Sequence, residues 1–355
     1  MKTLIKHEPQ PGFEYIKDQP VPIPQPDEVL VRVQYVAICG SDINLYKWND
    51  IAQRIATLPF TPGHEMTGIV EKLGSEVTDL SLGQRIAVEN HFYCRNCWQC
   101  DNKRGDICAK MSQYGHGKGT IHGGFSEYSI VPSRYCYKLQ DASSSRWPIT
   151  PVQAVLLEPM GVAHNCLEQI EVSEGDDICI IGAGAIGLLA TNISRAKGAK
   201  TIVVTDIVDS KLDMAKKMGA TNTINCIKQN LTDTIMDLTK QVGIGKILEC
   251  SGVSHNITEG IKFLRKGGHI GLIGLPKTNL VFDNPLDFIF KSLTIKTVHG
   301  RRIFHTWEEC ERLISEGKCQ PELVVSHEYE LDNYQEAFDM LFSGKANKIV
   351  IKVCE

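Results

Sequence analysis

No apolar run in this sequence is long enough to cross a bilayer. The longest, Ile178–Ala190, is too short and is broken by glycines. There is no large excess of one charge. The formal net charge of −4 gives no pull toward nucleic acid or anionic membranes. There is no internal repeat, and the small biased run Ser143–Ser145 reads as a solvent loop. The basic residues Arg95, Lys103, Arg104 and Lys110 lack interleaved aromatics, which argues against a nucleic-acid-binding module. Met1–Glu8 is charged and mixed, without the pattern of a secretory signal. The 13 cysteines are an odd number and cannot all pair. Together these absences point to a reducing compartment, with cytoplasm as the expectation, and to metal-bound and free thiols. What remains is ordinary: 355 residues, 42% hydrophobic and 23% charged, enough for two domains with their own cores.

The most informative residues present are Cys94, Cys97, Cys100 and Cys108, spaced C-x2-C-x2-C-x7-C. Four thiolates close a tetrahedral shell around Zn²⁺ and leave no open position, so this lobe is expected to be structural. Other cysteines, such as Cys136, Cys166 and Cys250, read as small apolar residues.

Two patterns divide the chain. The first part is β-rich. Glu28–Val36 follows a proline-rich approach, Thr67–Leu73 and Gln84–Asn90 read as further strands, and glycines and polar turns separate them as in a compact barrel. From about Val172 strands alternate with helices. Strands are expected at Asp177–Gly182, Thr201–Asp206, Ile247–Cys250 and His269–Gly274. Helices are expected at Ile186–Lys197 and at Ser210–Met218, the latter capped by Ser210. This alternation is the mark of a parallel α/β sheet. A helix over Trp307–Gly317 and a β-like tail follow.

Gly182-Ala-Gly184-Ala185-Ile186-Gly187 lies between a predicted strand and helix, the context in which this glycine pattern binds dinucleotides. The helix N-terminus would face the pyrophosphate. Asp206 comes 19 residues after Gly187 at the end of the next strand. Its carboxylate suits a ribose hydroxyl and repels a 2′-phosphate, which favours NAD over NADP. Lys211 joins this candidate cofactor set.

A second group of ligand-type residues is built differently. Cys39-Gly-Ser41-Asp42 and Gly63-His64-Glu65 offer a thiolate and an imidazole, and Glu158-Pro-Met160 offers a carboxylate. Cys, His and a carboxylate leave a fourth zinc position for water or substrate, as catalysis requires. Asp42 is a candidate to orient His64. Glu65 is either a spare ligand or a structural ion-pair partner.

With these motifs in place, the chain resembles the zinc-dependent medium-chain dehydrogenase/reductase family over essentially its whole length. Within it the resemblance is strongest to the threonine dehydrogenase branch, through Leu45–Asp50, Ala52-Gln53, Asn90-His91, Gly300-Arg301, Thr306-Trp307 and Ser343-Gly-Lys345. The resemblance implies a Rossmann parallel-sheet cofactor domain over 158–296. It implies a GroES-like β-barrel catalytic domain over 1–157 and 297–355, with the zinc lobe at about 91–110. It implies two Zn²⁺ per chain, Cys39 and His64 on the catalytic one with Glu158 as ligand or near-ligand, and NAD. His91 falls at a substrate-pocket position, Arg301 at a position for the cofactor or a neighbouring subunit, and Trp48 near the substrate. The implied reaction is hydride transfer from a secondary alcohol, with Ser41 relaying the proton. L-threonine oxidised to 2-amino-3-oxobutanoate is the leading substrate and a polyol or vicinal diol the alternative. A retired member that binds nucleotide without catalysis is disfavoured by the intact Cys39, His64 and Glu158. Homo-oligomers, tetramers or dimers, are implied, with Asp287–His299 as a sheet-extending edge.

Two departures from the family pattern stand out. Asn44 occupies the place of a histidine that commonly relays the alcohol proton; Ser41 with a water, or His91, would have to substitute. Val162 follows Glu158-Pro-Met-Gly where threonine dehydrogenases carry Asn, a local likeness to polyol enzymes.

Overall fold

The computed structural model describes residues 1–140, 148–282 and 285–354. The expected solvent loop at Ser143–Ser145 lies outside them. The chain forms two compact units. One comprises Met1–Glu158, Arg302–Ser315 and Val325–Glu355; the other comprises Pro159–Arg301 and Glu316–Val324. Among the described residues no helix is long and apolar enough to cross a membrane.

The first unit is built around Glu28–Ala37, a ten-residue strand rich in β-branched residues. One of its edges is shared: Tyr128–Pro132 pairs with the first half and Lys348–Lys352 with the last three residues, both antiparallel. Glu65–Leu73 runs antiparallel along the other edge, followed by Arg85–Val88 and Cys136–Lys138. Val325–Glu330 joins Lys348–Lys352 in parallel at the far end. Two apolar clusters fill the unit, one around Val31, Val33, Met66 and Val88, the other around Val36, Phe60, Phe125 and Phe338. This is the GroES-like half of the fold.

The register of the first unit positions its chemistry. Ala37 lies opposite both Glu65 and Val350. The chain just past Ala37 (Cys39), the chain just before Met66 (His64 and Glu65) and the start of the C-terminal strand (Lys348) therefore meet at one end of three adjacent strands. Gly40–Lys47 then turns into a helix whose Asp42 accepts the Cys39 N–H at 2.8 Å.

The second unit is a six-stranded, wholly parallel sheet. Its order is Asn222–Asn225, Thr201–Asp206, Asp177–Ile181, Ile244–Glu249, Leu264–Leu272, Thr294–Thr297. The strand order turns back beside Asp177–Ile181, the arrangement of Rossmann sheets. Central strands are buried on both faces, so they read as continuous apolar runs such as Ile178–Ile181. Two sequence expectations change here. The helix after Asp206 spans Asp209–Met218 with Val208 at its N-cap, so Ser210 lies inside it. Asp209, in the first turn, bonds Asn225 and Lys228 at 2.8 and 2.7 Å instead. The expected edge at Asp287–His299 is helical over Leu286–Lys291 before the edge strand Thr294–Thr297 begins.

Candidate active site and metal centres

The four lobe cysteines come together. Sγ–Sγ distances are 3.5 Å for Cys97–Cys100, 3.5 Å for Cys94–Cys108 and 3.8 Å for Cys97–Cys108. A disulfide would require about 2.05 Å. A Zn–S bond of about 2.3 Å gives a tetrahedral sulfur–sulfur edge of about 3.8 Å, which these distances approach. Backbone N–H groups also aim at the sulfurs: Cys94 N and Lys110 N each reach Cys108 Sγ at 3.3 Å. The Cys100 N–H holds the Cys97 thiol down at about 6, whereas burial pushes Cys100 up to about 12. Four thiolates this close repel one another, so full ionisation calls for a cation at their centre. The donor set fits zinc.

At the end of the three strands, donor atoms of Cys39, His64 and Glu65 lie within 4.8 Å of one another. The surroundings are almost closed. Asp42 is fully buried, with its Oδ1 3.7 Å from His64 Nδ1. Burial lowers the affinity of His64 for a proton, but Asp42 and Cys39 outweigh it and hold the imidazole well above its ordinary value. Burial would raise the Asp42 carboxyl, yet His64 and the Cys39 N–H keep it below the usual range. Negative charge thus favours a cation here, and a thiol, an imidazole and a carboxylate fit zinc.

Glu65 carries a second commitment. Lys348 Nζ donates to its Oε1 at 2.7 Å and to the Ile38 carbonyl at 3.1 Å. Both side chains are buried. Burial raises the Glu65 carboxyl against the pull of Lys348, and Glu158 raises it further. Glu158 stands outside the three-donor group. It is the second residue of the helix Leu157–Gln169, and its Oε1 accepts from Asn90 Nδ2 at 3.2 Å.

The other expected residues fall as follows. Ser41 is half-buried in the first turn of Gly40–Lys47. Asn44 Oδ1 accepts from Asn49 Nδ2 at 2.8 Å, while Asn49 Oδ1 caps the helix Asp50–Ile55. The amide at the relay position is therefore engaged in joining two helices. His91 is buried, its N–H on Glu89 Oε1 at 2.8 Å and its Nδ1 3.5 Å from the same oxygen. Trp48 packs against the core cluster of Val36 and Phe338, with Lys6 Nζ 5.4 Å from its ring.

In the second unit the glycine loop follows Asp177–Ile181. Gly182 has φ of +102°, Gly184 is the N-cap of the helix Ala185–Ala196, and Ile186 is its second residue. A Cβ on Gly187 would lie 1.9 Å from the Gly182 carbonyl, so only glycine closes this turn. Asp206 Oδ2 accepts the Ala183 N–H at 2.8 Å, and Oδ1 accepts those of Ile207 and Val208 at 2.8 and 3.0 Å. Its carboxylate braces the loop to the next strand. Lys211 is half-buried in the helix Asp209–Met218, and Arg301 is completely buried.

Sequence reasoning missed two neighbours of the mixed cluster. Lys348 is hidden at the head of an apolar strand; a lone lysine before Ile349-Val-Ile351 was its only signal. His116 sits with its ring centroid 4.8 Å from that of His64, and its signal was a histidine between Gly115 and Gly117.

Comparison with known proteins agrees with this geometry. Residues 25–141 match the alcohol dehydrogenase GroES-like domain and residues 185–316 the zinc-binding dehydrogenase family. The chain is 35% identical to an L-threonine 3-dehydrogenase of Coxiella burnetii and 34% identical to one of Legionella pneumophila, each over 99% of both chains. Among solved structures, it resembles an alcohol dehydrogenase from Thermus sp. ATN1 (26% identity, TM-score 0.87, all of both chains). It also resembles 2R,3R-butanediol dehydrogenase from Bacillus subtilis (25% identity, TM-score 0.88, 99% of both chains). The chain belongs to the zinc-dependent medium-chain dehydrogenase/reductase family, on its threonine dehydrogenase-like side, and is an oxidoreductase of the alcohol dehydrogenase class.

Proposed function

We propose that the chain oxidises a secondary alcohol to a ketone with NAD⁺, and that L-threonine, giving 2-amino-3-oxobutanoate, is its substrate. The observation that carries this reading is the grouping of Cys39, His64 and Glu65 within 4.8 Å, in a chain 35% identical along its length to L-threonine 3-dehydrogenases. Cys39, His64 and Glu65 hold a catalytic zinc, with Glu158 beside them, and Cys94, Cys97, Cys100 and Cys108 hold a structural one. The catalytic zinc supplies Lewis acidity that lowers the pKa of the alcohol hydroxyl, and NAD⁺ supplies the hydride acceptor. Asp42 orients His64, and Lys348 limits how much charge Glu65 offers the metal. Ser41 takes the hydroxyl proton, since Asn44 does not titrate and is bonded to Asn49. His91, fixed by Glu89, orients the substrate.

Gly182, Gly184, Ala185, Ile186 and Gly187 hold the pyrophosphate, with Lys211 and Arg301 in support. Asp206 favours NAD over NADP because a 2′-phosphate would approach a carboxylate. The chain works as a homo-oligomer through the sheet edge Thr294–Thr297 and the exposed Leu286, Ile289 and Phe290 beside it. Light scattering on the wild type and on Ile289→Lys tests this; two equal monomer masses would refute it.

A second reading, a vicinal-diol dehydrogenase, is favoured by Val162 after Glu158-Pro-Met-Gly and by the likeness to a butanediol dehydrogenase. NADH formation from L-threonine, sorbitol and 2,3-butanediol decides between them. Preference for L-threonine supports the first reading, and activity confined to a diol transfers the assignment. Turnover untouched by a zinc chelator sinks both.

A further inference from the structure

His116 is a buried histidine beside the mixed cluster whose polar atoms are not all spent. It is 6% exposed. Its Nδ1 lies 3.1 Å from the Tyr114 carbonyl. A carbonyl only accepts, so Nδ1 carries the proton and Nε2 keeps its lone pair. The ring packs against that of His64, with centroids 4.8 Å apart. Asp42 and Glu158 are close enough to act on the same ring. Among the described residues no protein donor is bonded to Nε2.

Each neighbouring carboxylate already has one oxygen engaged. Asp42 Oδ2 holds the Cys39 N–H at 2.8 Å, Glu65 Oε1 holds Lys348 at 2.7 Å, and Glu158 Oε1 holds Asn90 at 3.2 Å. The His116 lone pair is also rigidly set. Its carbonyl accepts the Thr57 N–H at 3.1 Å and its N–H reaches the Gln113 carbonyl at 3.3 Å. A Cβ on Gly117 would lie 1.9 Å from the Thr57 carbonyl, so this turn has no room to shift.

We propose that His116 Nε2 accepts a hydrogen bond from a second polar hydrogen of the alcohol substrate, an adjacent ammonium or hydroxyl, and so selects vicinal amino alcohols and diols over plain secondary alcohols. The inference rests on the alcohol oxidation proposed above and names the substrate class for it. An acceptor that loses its water to a substrate lacking a donor is left unpaired, which is costly and is how a pocket rejects a ligand missing one polar group.

The test compares 2,3-butanediol and L-threonine with 2-butanol in the wild type, His116→Asn and His116→Phe. Asn retains a donor for the Tyr114 carbonyl, which supports the loop, but lacks Nε2. Melting temperature and zinc content identify a variant that has merely lost its fold or metal. Loss of one hydrogen bond predicts about a tenfold fall in kcat/KM for the diol and the amino alcohol in both variants. 2-Butanol should stay within about twofold. An equal fall on all three substrates, or none, overturns the proposal. A second readout needs no turnover: ¹⁵N NMR of histidine-labelled, zinc-loaded protein without NAD⁺. The Nδ1–H tautomer, with the Nε2 resonance moving on adding L-threonine or 2,3-butanediol but not 2-butanol, supports the assignment. An Nε2–H tautomer, or an unmoved resonance, refutes it. If the wild type oxidises no alcohol, the reading of the activity falls, and the NMR result still decides whether His116 recognises the donor.

Discussion

Among the described residues, the first unit contains two clusters of metal-ligand residues made from opposite materials. The lobe uses four sulfurs from one short stretch, Cys94–Cys108, and little else. The second cluster takes one donor each from Cys39, His64 and Glu65 and surrounds them with groups that compete for the same charges: Asp42 on His64, Lys348 on Glu65, Asn90 on Glu158. Four like ligands saturate zinc and fix a loop. A mixed set held by competing partners leaves the ion short of charge and open to a further oxygen ligand. The lobe is local in sequence and therefore independent of the rest of the fold. The mixed cluster exists only because three strands pair in one register.

The largest effects should follow from breaking each cluster once. Cys39→Ser is expected to lower kcat by about a thousandfold or more, with zinc falling from two to one per chain and little change in melting temperature. Cys100→Ser should do the reverse. A lobe with three thiolates loses its ion, the melting temperature falls by about 10 °C, and the protein that stays folded keeps most of its turnover per molecule. Metal analysis beside thermal melts and initial rates checks both. If the two variants lose activity and stability in parallel, the division into a structural and a catalytic centre is wrong.

These two clusters also separate what was legible in the sequence from what was not. The lobe could be read outright, because its ligands lie within fifteen residues and their spacing is the signal. The glycine loop could be read too, since the strand before it and the helix after it are local patterns. Cys39, His64 and Glu158 could be grouped as zinc donors by residue type, with Glu65 left between ligand and ion-pair partner, whereas the structure groups Cys39, His64 and Glu65. Their meeting depends on Ala37 pairing with Glu65 and Val350, a long-range register that no local pattern encodes. Lys348 was hidden for the same reason, since its partner is 283 residues away. Asn44 illustrates the limit from the other side. Its departure from the relay histidine was visible, but the bond that gives it a role, to Asn49, was not. The sequence favours Ser210 as a cap because hydroxyl caps are common, whereas in the fold Asp209 precedes it and takes the charged contacts of that turn.

The clamp on Glu65 sharpens the contrast further. Lys348→Met removes a buried cation and leaves a buried carboxylate without its partner, a loss of about 3–5 kcal/mol if nothing else changes. At the mixed cluster something else is available: a bound zinc can take up the freed charge. The apo protein is therefore expected to suffer nearly the whole loss and the zinc-loaded protein much less of it, with zinc affinity in the variant increased accordingly. Urea melts of both forms measure the difference. Equal destabilisation with and without zinc would mean that Glu65 does not share its charge between Lys348 and the metal.

The smallest expected effect is on acid stability, and it too divides the two regions. The stretch Cys94–Cys108 contains no histidine, whereas the segment beside the mixed cluster contains His116 and His122, both held down at about 4 chiefly by burial. In the unfolded chain each titrates near 6.5. Between about 6.5 and about 4 the unfolded state binds more protons than the folded one, so stability rises with pH across that window. The contribution is fully present above pH 6.5 and is lost as pH falls toward 4. For His122, which lies outside the proposed metal ligands, the loss should be about 1–3 kcal/mol. Thermal melts of the wild type and His122→Asn from pH 7 to pH 4.5 isolate this share from thiolate and carboxylate protonation, which the two proteins have in common. The variant's melting temperature should fall less steeply over that range. Parallel curves would mean that His122 gains its proton in the folded state as readily as in the unfolded one, and that burial of this loop does not set its charge.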